Sequence, residues 1–171
     1  ALLSEQDGVP GVRFAVWAPE ATAVAVQLFG QDREPTGTVA LAGAGNGLWS
    51  CFVPGLIAGQ AYGLRAYGPW NPDAGHRFNP ARLLLDPWAL ALSGDTGRLA
   101  LQVGHVVADP MKPEQHWAQH QPEPADNAAA MPRSLVVDAA AELAAGALIT
   151  PRQAIAPDRV VLYEAHVKAL T

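Results

Sequence analysis

From Gly11 to Tyr67, proline and glycine cut the chain into stretches too short for a stable helix but long enough for a strand. Inside those stretches the apolar residues alternate. Val12, Phe14 and Val16 alternate with Arg13, Ala15 and Trp17, and Val24, Val26 and Leu28 repeat the pattern from Ala23 to Phe29. That period of two predicts half-buried strands. Leu48–Val53 and Ala61–Tyr67 read as further strands, and Thr38–Leu41 as a short one. Asn46-Gly47 is a hairpin turn signal. The glycine cluster at 43–47 leads into a strand rather than a helix, so it lacks the helix N-terminus a phosphate cradle needs. Short strands with no helix among them predict an all-β fold, an antiparallel β-sandwich of about 100 residues.

The bulk figures narrow the class. At 171 residues the chain is one domain with an appendage, or two small pieces. A net charge of −5 weighs against a nucleic-acid partner. No apolar run reaches membrane-spanning length, and no basic-plus-apolar signal segment opens the chain, so no membrane partner is predicted. Cys51 is the single cysteine and sits in a strand pattern, which predicts a buried inert thiol and a reducing, cytoplasmic setting. The chain opens at Ala1 without a methionine and stops at Thr171 after an apolar run, so both ends read as cut.

The least ordinary stretch runs from Tyr62 to Leu92. A strand ends at Gly68-Pro69. A loop rich in proline and aromatics follows, carrying Trp70-Asn71-Pro72 and His76-Arg77-Phe78-Asn79-Pro80. The apolar run Leu83–Leu85 is then stopped by Asp86-Pro87-Trp88. A long loop with so many fixed φ angles holds one shape, and such loops usually bind or dock. From Ser93 to Arg133 no period survives, which predicts an irregular connector. Leu135–Val137 is a short strand candidate, and Asp138 stands where it can cap a weak helix over 139–145. Val160–Tyr163 reads as a buried strand, for which the remaining residues supply no neighbours.

Constellations for chemistry are sparse. His116 and His120 have the spacing of two metal ligands on a helix, but no third ligand is evident, so no metal site is predicted. No serine sits in a nucleophile elbow, and the carboxylates show no pairing for glycoside chemistry. Asp86, before a proline, reads as a turn former. The tryptophans are the better lead. Trp17 and Trp49 lie in strands and are expected in the core. Trp70, in its Gly-Pro-Trp-Asn-Pro turn, is a candidate for sugar stacking with Asn71 beside it, or for packing on a neighbouring domain. Arg77 is a candidate for an ion pair with Asp86 or Asp73, or for ligand contact.

Four stretches taken in order carry a family resemblance: GVRFAVWAPEATAVAVQLF, YGLRAYGPWNPDAGHRFNPARLLLDPWA, DNAAAMPRSLVVD and VVLYEAHVKALT. Together they resemble the start of bacterial glycogen debranching enzymes and isoamylases of glycoside hydrolase family 13. The resemblance implies three parts. Residues 1–92 would be an immunoglobulin-like sandwich of carbohydrate-binding module family 48, residues 93–157 a connector, and residues 158–171 the orphan first strand of a (β/α)8 barrel. It implies retaining hydrolysis of α-1,6 branch linkages by two carboxylates, with no cofactor. Those carboxylates belong to later barrel strands, so no catalytic residue is assigned and this chain alone is expected to be inactive. The expected partners are α-glucan, such as glycogen or limit dextrin, and the missing catalytic barrel. Trp70 stands where the family places one stacking aromatic. The turn Gly30–Arg33 lacks a second, and Gly63 stands where a lysine is usual, which leaves bracing of the barrel as the other role. His76, Arg77, Phe78, Asn79 and Asp86 would then form the docking seam.

Overall fold

The computed structural model describes residues 1–95, 101–107 and 120–145. Residues Ala1–Asp138 form one compact unit, and residues 139–171 belong to a second. The strands of the first unit, in chain order, are β1 (Leu2–Gln6), β2 (Val9–Trp17), β3 (Ala23–Phe29), β4 (Pro35–Ala40), β5 (Ala42–Gly43), β6 (Leu48–Pro54), β7 (Ala61–Tyr67), β8 (Trp70–Asn71), β9 (His76–Arg77), β10 (Ala91–Ser93) and β11 (Arg133–Leu135). One sheet has the order β1-β2-β6-β5 and the other β10-β11-β7-β3-β4, while β8 and β9 form a two-stranded ladder of their own among the described residues. All these pairings are antiparallel. This is the antiparallel β-sandwich that the alternation predicts and the immunoglobulin-like one that the resemblance implies.

The alternation decides which face of each strand goes inside. Val12 and Phe14 of β2, Val24, Val26 and Leu28 of β3, and Tyr62 and Leu64 of β7 are buried together with Leu41 and Val136. The Phe14 and Tyr62 rings meet edge to face at 5.0 Å, a geometry that adds about 0.5–1.5 kcal/mol to the burial itself. Trp49 packs against this core as expected, and its indole N–H donates to the Ala18 carbonyl at 3.0 Å. Trp17 does not join it. The residue is 70 % exposed, because β2 turns Val12, Phe14 and Val16 inward and therefore sends Arg13, Ala15 and Trp17 the other way. Trp17 lies opposite Leu48 across the sheet.

Three further differences from the sequence reading have local causes. Strand β1 has no clean alternation and takes its place by pairing with β2 from Leu2↔Arg13 to Gln6↔Val9. Strand β4 begins at Pro35 rather than Thr38; it is a sheet edge, where a proline costs no ladder bond. Strand β11 begins two residues before the candidate at Leu135–Val137 and inserts between β10 and β7. In the second unit, Ala139–Ala144 form the short helix α1, as the alanine run predicts. The barrel strand expected at 158–171 lies outside the described residues.

The second sheet is covered on its outer face by the chain itself. A Cβ on Gly63 would lie 2.6 Å from Leu83 Cδ1, so Leu83 occupies the space a side chain would take. Around it the 79–86 segment is stitched to later residues. Leu83 N donates to Asn127 Oδ1 at 2.7 Å, Asp86 N to Ser134 Oγ at 3.0 Å, and Arg82 Nη1 to the Ala125 carbonyl at 3.1 Å. Arg65, buried on that face, donates to both carboxylate oxygens of Asp126 at 2.9 and 2.8 Å and to Gln27 Oε1 at 2.8 Å.

Candidate functional site

Trp70 and Asn71 stand on a two-residue ladder, with Trp70 opposite Arg77 and Asn71 opposite His76. The turn between them is a 3-10 turn over Pro72–Ala74, closed by Gly75 at φ 84°. Proline at the start supplies the fixed φ, and glycine at the end takes the left-handed conformation without a Cβ penalty. Asn71 Oδ1 accepts from the Ala74 N–H at 3.4 Å, so the side chain also holds the turn.

Trp70 is half-buried, and its indole N–H donates to the His120 carbonyl at 2.7 Å. That bond fixes the plane of the ring. Asp73 Oδ1 lies 3.8 Å from His120 Nδ1. The hairpin therefore brings Trp70, Asn71, Asp73, His76 and Arg77 together and ties them to residue 120. Among the described residues no group of three His, Cys, Asp or Glu side chains is placed to hold a metal ion. His116 lies outside the described residues.

The residues expected at a docking seam divide into two sets. His76 is half-buried and Arg77 exposed on β9, and Phe78 is half-buried beside them. Arg77, Phe78 and the exposed Leu84 share the wall of a groove of about 450 Å³ with Gln102 and Gly104. Asn79 lines the same groove, Asp86 does not, and both are buried. Asn79 Nδ2 donates to the carbonyls of Gly104 and Glu123 at 2.8 and 2.9 Å, and its Oδ1 accepts from Ala81 N at 2.9 Å. It clips two distant segments to the loop.

Asp86 has a different set of partners from those expected. Arg77 makes no ion pair with Asp86 or Asp73; β9 carries it outward instead. The Asp86 carboxylate accepts from the Tyr62 hydroxyl at 2.6 Å, the Trp88 N–H at 2.8 Å and the Ala1 nitrogen at 2.9 Å. The Trp88 bond is the turn-forming role that the Asp-Pro pair predicts. Burial opposes ionisation of Asp86, but donation from Tyr62, Trp88 and the Ala1 amine outweighs it and holds the carboxyl below its usual range. Burial, reinforced by the same hydrogen bond and charge, pushes the Tyr62 phenol far up.

Sequence reasoning passes over Arg65, Arg82 and Arg133, all of them buried. Arginine inside an otherwise apolar strand, as in Tyr62-Gly63-Leu64-Arg65, is the one signal that could point to such a layer.

Comparison with known proteins places these features in a family. The model for carbohydrate-binding module 48 (isoamylase N-terminal domain) matches residues 2–89. The glycogen debranching enzyme of Cronobacter sakazakii is 38% identical over 161 residues, which is 94% of this chain and 22% of that one. The glycogen debranching enzyme of Yersinia pseudotuberculosis is 35% identical over 164 residues, with the same coverage of 94% and 22%. The chain thus spans 22% of the length of these relatives. Among solved structures, a product complex of SpuA, described as a multi-modular glycogen-degrading pneumococcal virulence factor, aligns with a TM-score of 0.50 at 18% identity. It covers 80% of this chain and 11% of the larger one, a likeness of fold.

Proposed function

The chain belongs to the carbohydrate-binding module 48 (isoamylase N-terminal domain) family, and from that premise we propose that it is the N-terminal part of an α-1,6-glucan debranching hydrolase, serving to hold α-glucan. The observation that carries this reading is Trp70. Its ring stands half-open on a short, proline-started hairpin, and its N–H is already used by the His120 carbonyl. A ring face held in one orientation stacks on a sugar at little entropic cost. Asn71, Asp73 and His76 around it are of the types that meet sugar hydroxyls. Catalysis would reside in a barrel for which this chain supplies at most a first strand, at 158–171, and needs no residue described here. The complete enzyme would hydrolyse branch linkages with retention through two carboxylates.

A second reading, bracing of that barrel without sugar binding, draws on the groove walled by Arg77, Phe78 and Leu84. In that reading His76, Arg77, Phe78, Asn79 and Asp86 form the docking seam, with Asn79 and Asp86 as its buried members. Native gel retardation in glycogen distinguishes the two. The glucan reading expects slowed migration that Trp70→Ala largely restores, with folding of the variant checked by near-ultraviolet circular dichroism. Migration unchanged at high glycogen would favour bracing.

A further inference from the structure

One end of the second sheet carries an open groove of about 590 Å³ between Phe29, Ile57, Gln60, Ser93 and Leu135. That is within the size range of small-molecule sites. Among the described residues, the charged side chains in its wall are Arg33 and Arg133, with no acid among them, in a chain whose net charge is −5. The placement of both guanidiniums is unusual. Arg133 is 1 % exposed, and its Nε is buried without an acceptor. Its Nη1 donates to the Met131 carbonyl, and its guanidinium lies 4.0 Å over the Phe29 ring. Arg33 Nη2 donates to the same Met131 carbonyl at 3.1 Å. Two cations thus converge on one neutral oxygen.

The nearby acids stand on the other side of the two arginines. Asp126 is held by Arg65 through both oxygens, and Asp126 and Glu34 line an adjoining depression together with Arg33 and Arg133. Burial, then the fields of Arg33 and Arg65, lower the affinity of the Arg133 guanidinium for its proton, against the opposing fields of Asp126 and Glu34. Arg33 itself is a non-glycine residue at φ 69°, and its guanidinium presses against Gly94. Such backbone strain, of order 1–3 kcal/mol, recurs at ligand clamps.

We propose that this groove is a binding site for a phosphate monoester, with Arg33 as the direct contact and Arg133 supplying the field from beneath. Guanidinium forks match phosphate oxygens two at a time. The apolar wall of Ile57 and Leu135, with the Gln60 and Ser93 side chains, suits the organic body of such an ester. The site is independent of the proposed glucan contact at Trp70.

The test is a titration of the chain with inorganic phosphate, followed through the amide signals of Gly30, Gly59 and Gly94, against chloride at matched ionic strength. Saturating shifts are expected with phosphate alone. Arg33→Gly should weaken the apparent affinity at least tenfold while leaving the fold intact, because glycine accepts the left-handed φ. Shifts that do not saturate would overturn the proposal. So would an affinity unchanged in Arg33→Gly.

Discussion

Asp86 shows how much one side chain can hold together. It closes its own turn through Trp88 and takes the hydroxyl of Tyr62 from the core. Because its carboxyl is held below the usual range in the fold, its stabilisation is fully present above the unfolded value, roughly pH 3.9. That contribution is lost as pH falls through the lower, folded value. Tyr62→Phe removes one donor, so acid unfolding should begin at higher pH, with a loss of about 1–3 kcal/mol at neutral pH. Urea titrations at several pH values would read both effects; an unchanged acid limb would sink the assignment. Gly63 is the second such residue. With Leu83 Cδ1 2.6 Å from the position of an added Cβ, Gly63→Ala should cost about 1–3 kcal/mol through overpacking, measurable as a lower urea midpoint. An unchanged midpoint would mean that Leu83 moves aside freely.

At the scale of elements, β2 and β3 were legible from their alternation, and β6 and β7 as runs bounded by turn signals. β1 was not legible, and β11 only in part, at Leu135 of the candidate 135–137. β1 is recruited by pairing with a strong neighbour, and β11 is only Arg133–Leu135, with a buried arginine and serine in it. A three-residue strand with polar members has no period to detect. The candidate site shows the same limit. The loop at Trp70 was readable as a turn of fixed shape from its prolines, but its pairing as a hairpin was not, and the His120 carbonyl and the Asp126–Arg65 pair come from residues about fifty or more positions away. The Trp17 error had its cause in plain view, since a residue out of phase with Val12, Phe14 and Val16 faces outward. β11 makes the boundary testable. A chain ending at Leu92 loses that strand along with Val136, Asn127 and Ser134. It should unfold at a clearly lower midpoint than one ending at Asp138. Equal midpoints would show that the later segment only decorates the sheet.

For the whole molecule, the outer face of the second sheet is closed by the chain's own Leu83, Arg65 and Asp126, and the proposed glucan contact is the hairpin that carries Trp70. Trp17 and Trp88 are more open, at 70 % and 82 % exposure, yet neither indole N–H is tied as that of Trp70 is to the His120 carbonyl. That contrast lets the central claim be tested at single residues. Assigned indole N–H signals can be followed while a linear maltooligosaccharide is titrated into the chain. The account expects a saturating shift at Trp70, with Trp88 unmoved. A titration that moves Trp17 or Trp88 and leaves Trp70 in place, or moves none of them, would contradict it.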